Sequence, residues 1–171
     1  MSRTKGLRQR NPQLPTLFLD FDGVLHPDNV YREGRRVVLR ADGFRLFEWV
    51  GILDDLLAPY PTLQIILSTS WVHVLGFDVA YSQLAEALRR RVVGATWHQT
   101  VPRRWDNLTR YAQIQHAIQR HRLTRWLAID DDGAGWATEH REHLVLTDSL
   151  LGIGESAAQE ELREKLKALH R

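Results

Sequence analysis

Three short apolar runs, each closing on carboxylates or hydroxyls, constrain this 171-residue chain more than any other feature. Thr16-Leu17-Phe18-Leu19 runs into Asp20-Phe21-Asp22-Gly23. Leu63-Gln64-Ile65-Ile66-Leu67 runs into Ser68-Thr69-Ser70, and Trp126-Leu127-Ala128-Ile129 into Asp130-Asp131-Asp132-Gly133. A run apolar at nearly every position has no solvent face, so each reads as a strand covered on both sides. Leu144 to Thr147 reads as a further strand and Val92-Val93 as the start of another. Helical patterns lie between them. One runs from Asp42, as its N-cap, to about Leu57 and is stopped by Pro59 and Pro61. Others run from Tyr81 to Arg91 and from Leu108 to Arg120, and a closing amphipathic helix spans Glu155 to Leu169. Asn29 to Leu39 reads as a hairpin turning at Glu33-Gly34. Strands alternating with helices predict an α/β domain on a parallel sheet.

In such sheets ligands bind beyond the carboxyl ends of the strands, where these polar residues would converge. Carboxylates crowded at one rim repel each other unless a cation sits among them or some are protonated. Hard oxygen donors without histidine select Mg²⁺ over zinc or copper. The chain contains no cysteine, which removes disulfides, thiolate metal sites and cysteine nucleophiles. Covalent catalysis would therefore use an oxygen or nitrogen nucleophile. Asp20 and Asp22 are alternate residues at a strand end that bends at Gly23. That spacing suits a nucleophile beside a general acid/base. The purely structural alternative is a turn before Gly23 and another at Asp130 to Gly133, with Asp132 as its turn residue.

These motifs resemble those of the haloacid dehalogenase-like (HAD) superfamily of phosphohydrolases. Leu17 to Leu25 is similar to its first motif, hydrophobics followed by Asp-x-Asp-Gly. Ile65-Ile66-Leu67-Ser68 is similar to its second, and Ile129-Asp130-Asp131 to its fourth, a strand ending in paired aspartates. The third motif is a basic residue near a helix start. Arg110-Tyr111-Ala112-Gln113-Ile114 is similar to the Lys-x-x-Glu-Ile pattern of some members, with Arg110 in place of the lysine. Ser70-Trp71 and Leu144 to Ile153 resemble a smaller subgroup, the phosphatase-like domain of some RNA-repair proteins.

The resemblance implies a Rossmann-like three-layer α/β/α sandwich with a central, mostly parallel sheet. It also implies phosphomonoester hydrolysis through an aspartyl-phosphate, with Asp20 as nucleophile and Asp22 as general acid/base. Mg²⁺ would be held by Asp20, the Asp22 main-chain carbonyl and Asp130 or Asp131. Ser68, or Thr69 beside it, and Arg110 would bind the phosphoryl oxygens. The alternative is a catalytically silent phosphate-, Mg²⁺- or nucleic-acid-binding module on the same fold.

Gly23 to Thr62 and Trp71 to Leu108 are too short to hold a folded cap domain, so the rim should be open apart from the hairpin flap. An open rim suits a large phosphorylated substrate such as a nucleic-acid end or a phosphoprotein, or a lid from a second subunit. The loop Val93 to Asp106 mixes Trp97, His98, Arg103, Arg104 and Trp105, a composition shared by nucleotide-binding and ordinary loops. Gly152 to Ala157 matches a dinucleotide fingerprint but does not directly follow a strand, and it reads as a loop into a helix. Arg3, Lys5, Arg8 and Arg10 crowd the first ten residues; without them the net charge of +2 becomes −2. Residues 1–15 read as a basic, flexible leader and 16–171 as the domain. No apolar run approaches the ~20 residues of a membrane helix, and the N-terminus lacks the apolar stretch of a secretory signal. A cytoplasmic location without membrane contact is expected.

Overall fold

All three apolar runs are strands, and the sheet they build is parallel throughout. The computed structural model describes residues 7–34, 36–101 and 104–171. Arg3 and Lys5 of the leader and Arg103 of the aromatic–basic loop lie outside the described residues. Strands β1 (Thr16–Leu19), β4 (Gln64–Leu67), β5 (Val92–Ala95), β6 (Trp126–Asp130) and β7 (Leu144–Leu146) pair in the order β5-β4-β1-β6-β7. Leu19 lies beside both Leu67 and Ile129, so the residues following β1, β4 and β6 emerge at one edge. The chain builds outward from β1 to β5, then crosses to β6 on the other side. That reversal opens a crevice between β1 and β6.

The strands alternate between two cores. Leu17, Leu19, Ile65, Leu67, Leu127 and Ile129 pack with Leu53 and Leu57 of α1 (Val50–Leu57) and Leu162 and Leu166 of α6 (Ser156–Leu169). Phe18, Ile66 and Ala128 pack on the opposite face with Ile114 and Ala117 of α5 (Arg110–His121). The result is the expected three-layer sandwich. Each fully buried Leu, Ile or Phe contributes about 1.5–3 kcal/mol, and a one-residue slip would exchange the two cores, so register is strongly specified.

Between β1 and α1 the chain forms the expected hairpin, β2 (Val30–Glu33) antiparallel to β3 (Arg36–Leu39). Between β4 and β5 it forms three short helices, α2 (Ser70–Leu75), α3 (Phe77–Ser82) and α4 (Glu86–Arg89). No helix among the described residues is long and apolar enough to cross a membrane.

Two helices differ from the sequence expectation. The first begins at Val50, not at Asp42, because the preceding segment gives its backbone donors to the loop after β1. Phe47 N–H donates to His26 Nδ1 at 3.1 Å and Trp49 N–H to Leu25 O at 3.1 Å, with Phe47 in a left-handed conformation (φ 57°). The expected helix Tyr81 to Arg91 is divided between α3 and α4. Ser82 Oγ and Gln83 Nε2 both donate to Val79 O, the carbonyl that a continuing helix would have paired with a backbone N–H. Such local side-chain bonds compete with the helix and end it.

Candidate active site

Asp20 leaves β1 buried, its Oδ1 accepting the Phe21 N–H at 2.8 Å. Asp130, the last residue of β6, is also buried, its Oδ1 accepting the Asp132 N–H at 3.0 Å. Asp131 follows, half-exposed, and carboxylate oxygens of Asp20, Asp130 and Asp131 lie within 4.8 Å of one another. Gly23 makes this approach feasible: at φ +70°, a Cβ there would sit 2.2 Å from Asp131 Oδ2. Arg110, the first residue of α5 behind its Thr109 N-cap, reaches between two of the acids. Its Nη2 lies 3.5 Å from Asp20 Oδ2 and its Nε 3.1 Å from Asp130 Oδ2. Ser68 Oγ, fully buried at the end of β4, has no hydrogen-bond partner among the described residues. Thr69 instead caps α2, accepting the Trp71 N–H at 3.4 Å. Asp132 serves its turn, accepting the Ala134 N–H at 2.8 Å.

The Asp22 carboxylate is turned another way. Its Oδ1 accepts Trp71 Nε1 at 2.8 Å and His26 Nε2 at 2.9 Å. Because His26 Nδ1 accepts the Phe47 N–H, the proton of the neutral ring sits on Nε2 and is donated to Asp22. Neither Trp71 nor His26 was legible as a partner of Asp22. Trp71 lies 49 residues away in sequence, and no motif marks His26 as a partner. Thr147, after β7, was also missed; its hydroxyl donates to Gly23 O at 2.7 Å and ties down the loop between Asp22 and the hairpin.

Three clustered acids and one guanidinium leave the site short of positive charge. Burial raises Asp20 to about 6, against the pull of Arg110 and with a push from Asp22. Burial, then Asp20, drives Asp130 well above the usual carboxylate range. Burial, then Asp20 and Asp28, raises Asp131 to about 7. Burial alone would weaken the Arg110 proton, but Asp20 and Asp130 hold its guanidinium above its ordinary value. A donor set of three carboxylates without histidine or cysteine fits a hard divalent cation.

Folded-state values near 6 and 7 exceed the unfolded carboxylate value of about 3.9. The metal-free protein therefore loses stability as pH rises from about 4 to about 7. A cation held by the ionised acids reverses that loss. Millimolar MgCl₂ should raise the melting temperature by about 5 °C at pH 8 and by under about 1 °C at pH 5. Equal shifts at both pH values would mean the cation binds elsewhere.

Two clefts flank the acids. One, of about 440 Å³, is lined by Thr69, Ser70, Thr96, Trp97, Arg110 and Asp132 among others. A smaller one of about 120 Å³ lies between the hairpin (Val30, Tyr31, Arg32, Val37) and α2, with Asp22 in its wall. Compared with known protein families, residues 16–158 match the model described as the HAD domain in Swiss Army Knife RNA repair proteins. The chain belongs to this family. Neither the curated proteins nor the solved structures gave a match. The segments that resemble the first, second and fourth motifs stand at the ends of β1, β4 and β6, and Arg110 reaches Asp20 and Asp130 from α5. The Asp20–Asp130–Asp131 cluster is consistent with the metal site of a HAD domain.

Proposed function

We propose that this HAD domain is a Mg²⁺-dependent phosphomonoester hydrolase acting on nucleic-acid ends. The observation that carries the reading is the acid triad beside a buried hydroxyl, Ser68 Oγ, that lacks a hydrogen-bond partner among the described residues. A phosphoryl oxygen supplies the missing partner and a cation the missing charge. Asp20, Asp130 or Asp131, and the Asp22 main-chain carbonyl would hold Mg²⁺, which when bound screens the repulsion between the Asp20 carboxylate and an anionic phosphate.

Asp20 attacks phosphorus in line, forming an aspartyl-phosphate as the ester P–O bond breaks. Asp22 protonates the departing oxygen. Asp22 then takes a proton from water, whose oxygen attacks phosphorus; the bond to Asp20 breaks and inorganic phosphate leaves. Ser68 donates to a phosphoryl oxygen, and Arg110 stabilises the charge on the others. Trp71 and His26 hold the Asp22 carboxylate at the leaving-group side. The nucleic-acid end is favoured by the family's RNA-repair membership and by the cleft at Trp97, where a base can stack.

The test is phosphate release with Mg²⁺ or EDTA from p-nitrophenyl phosphate, mononucleotides and 3′- or 5′-phosphorylated single-stranded oligonucleotides. Turnover should require Mg²⁺, and an oligonucleotide end should exceed the matching mononucleotide by about tenfold in kcat/KM, worth ~1.4 kcal/mol. No release from any of them, with the Mg²⁺ melting shift intact, would instead favour a silent binding module.

A further inference from the structure

The sheet edge beyond the active site gathers two arginines and two histidines around one cleft. Arg10, His98, Arg120 and His121 line a cleft of about 230 Å³ beside Gly94 and Ala95 of β5. Arg10 is brought there by design of the backbone. Asn11 is held at both ends by the buried Gln64 side chain, whose Oε1 accepts its N–H at 2.8 Å and whose Nε2 donates to its carbonyl at 2.7 Å. Arg10 Nη2 then donates to Val93 O at 3.3 Å, in space that exists because residue 94 is glycine: a Cβ there would lie 2.4 Å from that nitrogen. Arg10 Nε is buried with no hydrogen-bond partner among the described residues. Arg120 Nη1 approaches His98 Nδ1 at 2.9 Å, and His98 stacks on His116.

Among the described residues, no carboxylate forms an ion pair with any of these groups. Burial and then Arg120 weaken the proton of Arg10, and the same causes weaken that of His98. Burial, then Arg10 and Arg120, push His121 down to about 4. The C-terminus of α5 accounts for favouring a cation at Arg120 or His121. It does not account for a second guanidinium delivered from the leader with an unpartnered nitrogen. Two guanidiniums facing one cleft without an acid make an anion site, and arginine's donor fork suits phosphate oxygens.

Trp97 lines both this cleft and the cleft that contains Arg110, so the two adjoin at that side chain. We propose that Arg10 and Arg120 bind a backbone phosphodiester of a single-stranded nucleic acid whose terminal phosphate occupies the active site, the strand passing over Trp97. This rests on the phosphatase reading above, but its test does not depend on turnover.

The experiment is fluorescence anisotropy in EDTA, with the full chain and a labelled single-stranded oligonucleotide bearing a 3′- or 5′-phosphate. The proteins are wild type, Arg120→Gln and Arg10→Gln/Arg120→Gln, each checked by thermal melting. The expected result is a Kd about tenfold weaker for Arg120→Gln and weaker still for the double variant, with the slope of log K against log salt reduced by about 0.7. A mononucleotide, which has no backbone phosphodiester, should bind all three proteins alike. Unchanged oligonucleotide Kd and salt slope in the double variant would overturn the proposal, as would an equal loss for oligonucleotide and mononucleotide. If wild type hydrolyses no phosphoester with Mg²⁺, the phosphatase reading fails, yet Arg120-dependent binding would still uphold the strand site.

Discussion

Asp20→Asn should abolish phosphate release, by about 10⁴-fold or more, while leaving the protein folded. Asparagine keeps the shape and can still accept the Phe21 N–H, but its amide oxygen is too weak a nucleophile to open a phosphoester. The stability half of the result is the more discriminating. Burial raises the Asp20 carboxyl to about 6, so at pH 8 its ionised form is disfavoured by the fold. A neutral isostere removes that penalty and also the repulsion from Asp130, against the loss of one Arg110 contact at 3.5 Å. The melting temperature without metal at pH 8 should therefore stay within about 2 °C of wild type or rise. The Mg²⁺-induced shift should shrink, since one of three clustered ligands has lost its charge. A variant that melts like wild type and retains turnover would remove Asp20 from the nucleophile's role.

Asp22→Asn should separate the two half-reactions. Asparagine can neither give a proton to a leaving oxygen nor take one from water. Nitrophenolate leaves without a proton, so the first step on p-nitrophenyl phosphate should survive as a burst. Steady-state turnover should fall by about 10²–10⁴-fold because the water of the second step is no longer activated. An alkyl or ribose phosphate needs the proton in the first step as well and should show no burst. The environment of Asp22 predicts a graded companion effect. Two N–H donors, Trp71 Nε1 at 2.8 Å and His26 Nε2 at 2.9 Å, fix its Oδ1. His26→Leu leaves one of them and should lower kcat about tenfold, more for alkyl than for aryl esters, whereas His26→Gln, which keeps an N–H, should recover part of the loss. An equal loss on both ester types would make His26 a packing residue only, since it also sits 4.7 Å from the Phe47 ring.

The strand ends were legible because their signal is local. Four-residue runs buried on both faces allow little but a parallel sheet, and the residue after each run must then fall at the rim. Asp20, Ser68 and Asp130 were placed in that way, and Arg110 only by the resemblance of the segment Arg110 to Ile114 to the third motif. What was not legible depends on backbone groups meeting across the fold. The segment 42–49 carries a helical apolar pattern, yet its N–H groups go to Leu25 O and His26 Nδ1, partners that no spacing reveals. The break after Ser82 hinges on which donor takes one carbonyl, Val79 O. The anchoring of Asp22 by Trp71 spans β1 and α2, and the anion cleft needs the leader to be pinned by Gln64, neither of which periodicity records. The leader makes the chain basic overall, and Arg10, one of its arginines, lines the cleft beside β5, whose lining includes none of the clustered acids.

The central claim is that phosphorus becomes bonded to Asp20. It is tested most directly by mixing the Asp22→Asn protein with p-nitrophenyl phosphate and Mg²⁺, quenching in acid within the burst, and mapping the phosphoryl group by peptide mass. The expected result is a phosphoryl adduct, approaching one per chain, on the peptide carrying Asp20, absent when Asp20→Asn is added to the same protein. Nitrophenolate released in stoichiometric amount with an unmodified Asp20 peptide, or with the phosphoryl group on another residue, would contradict it.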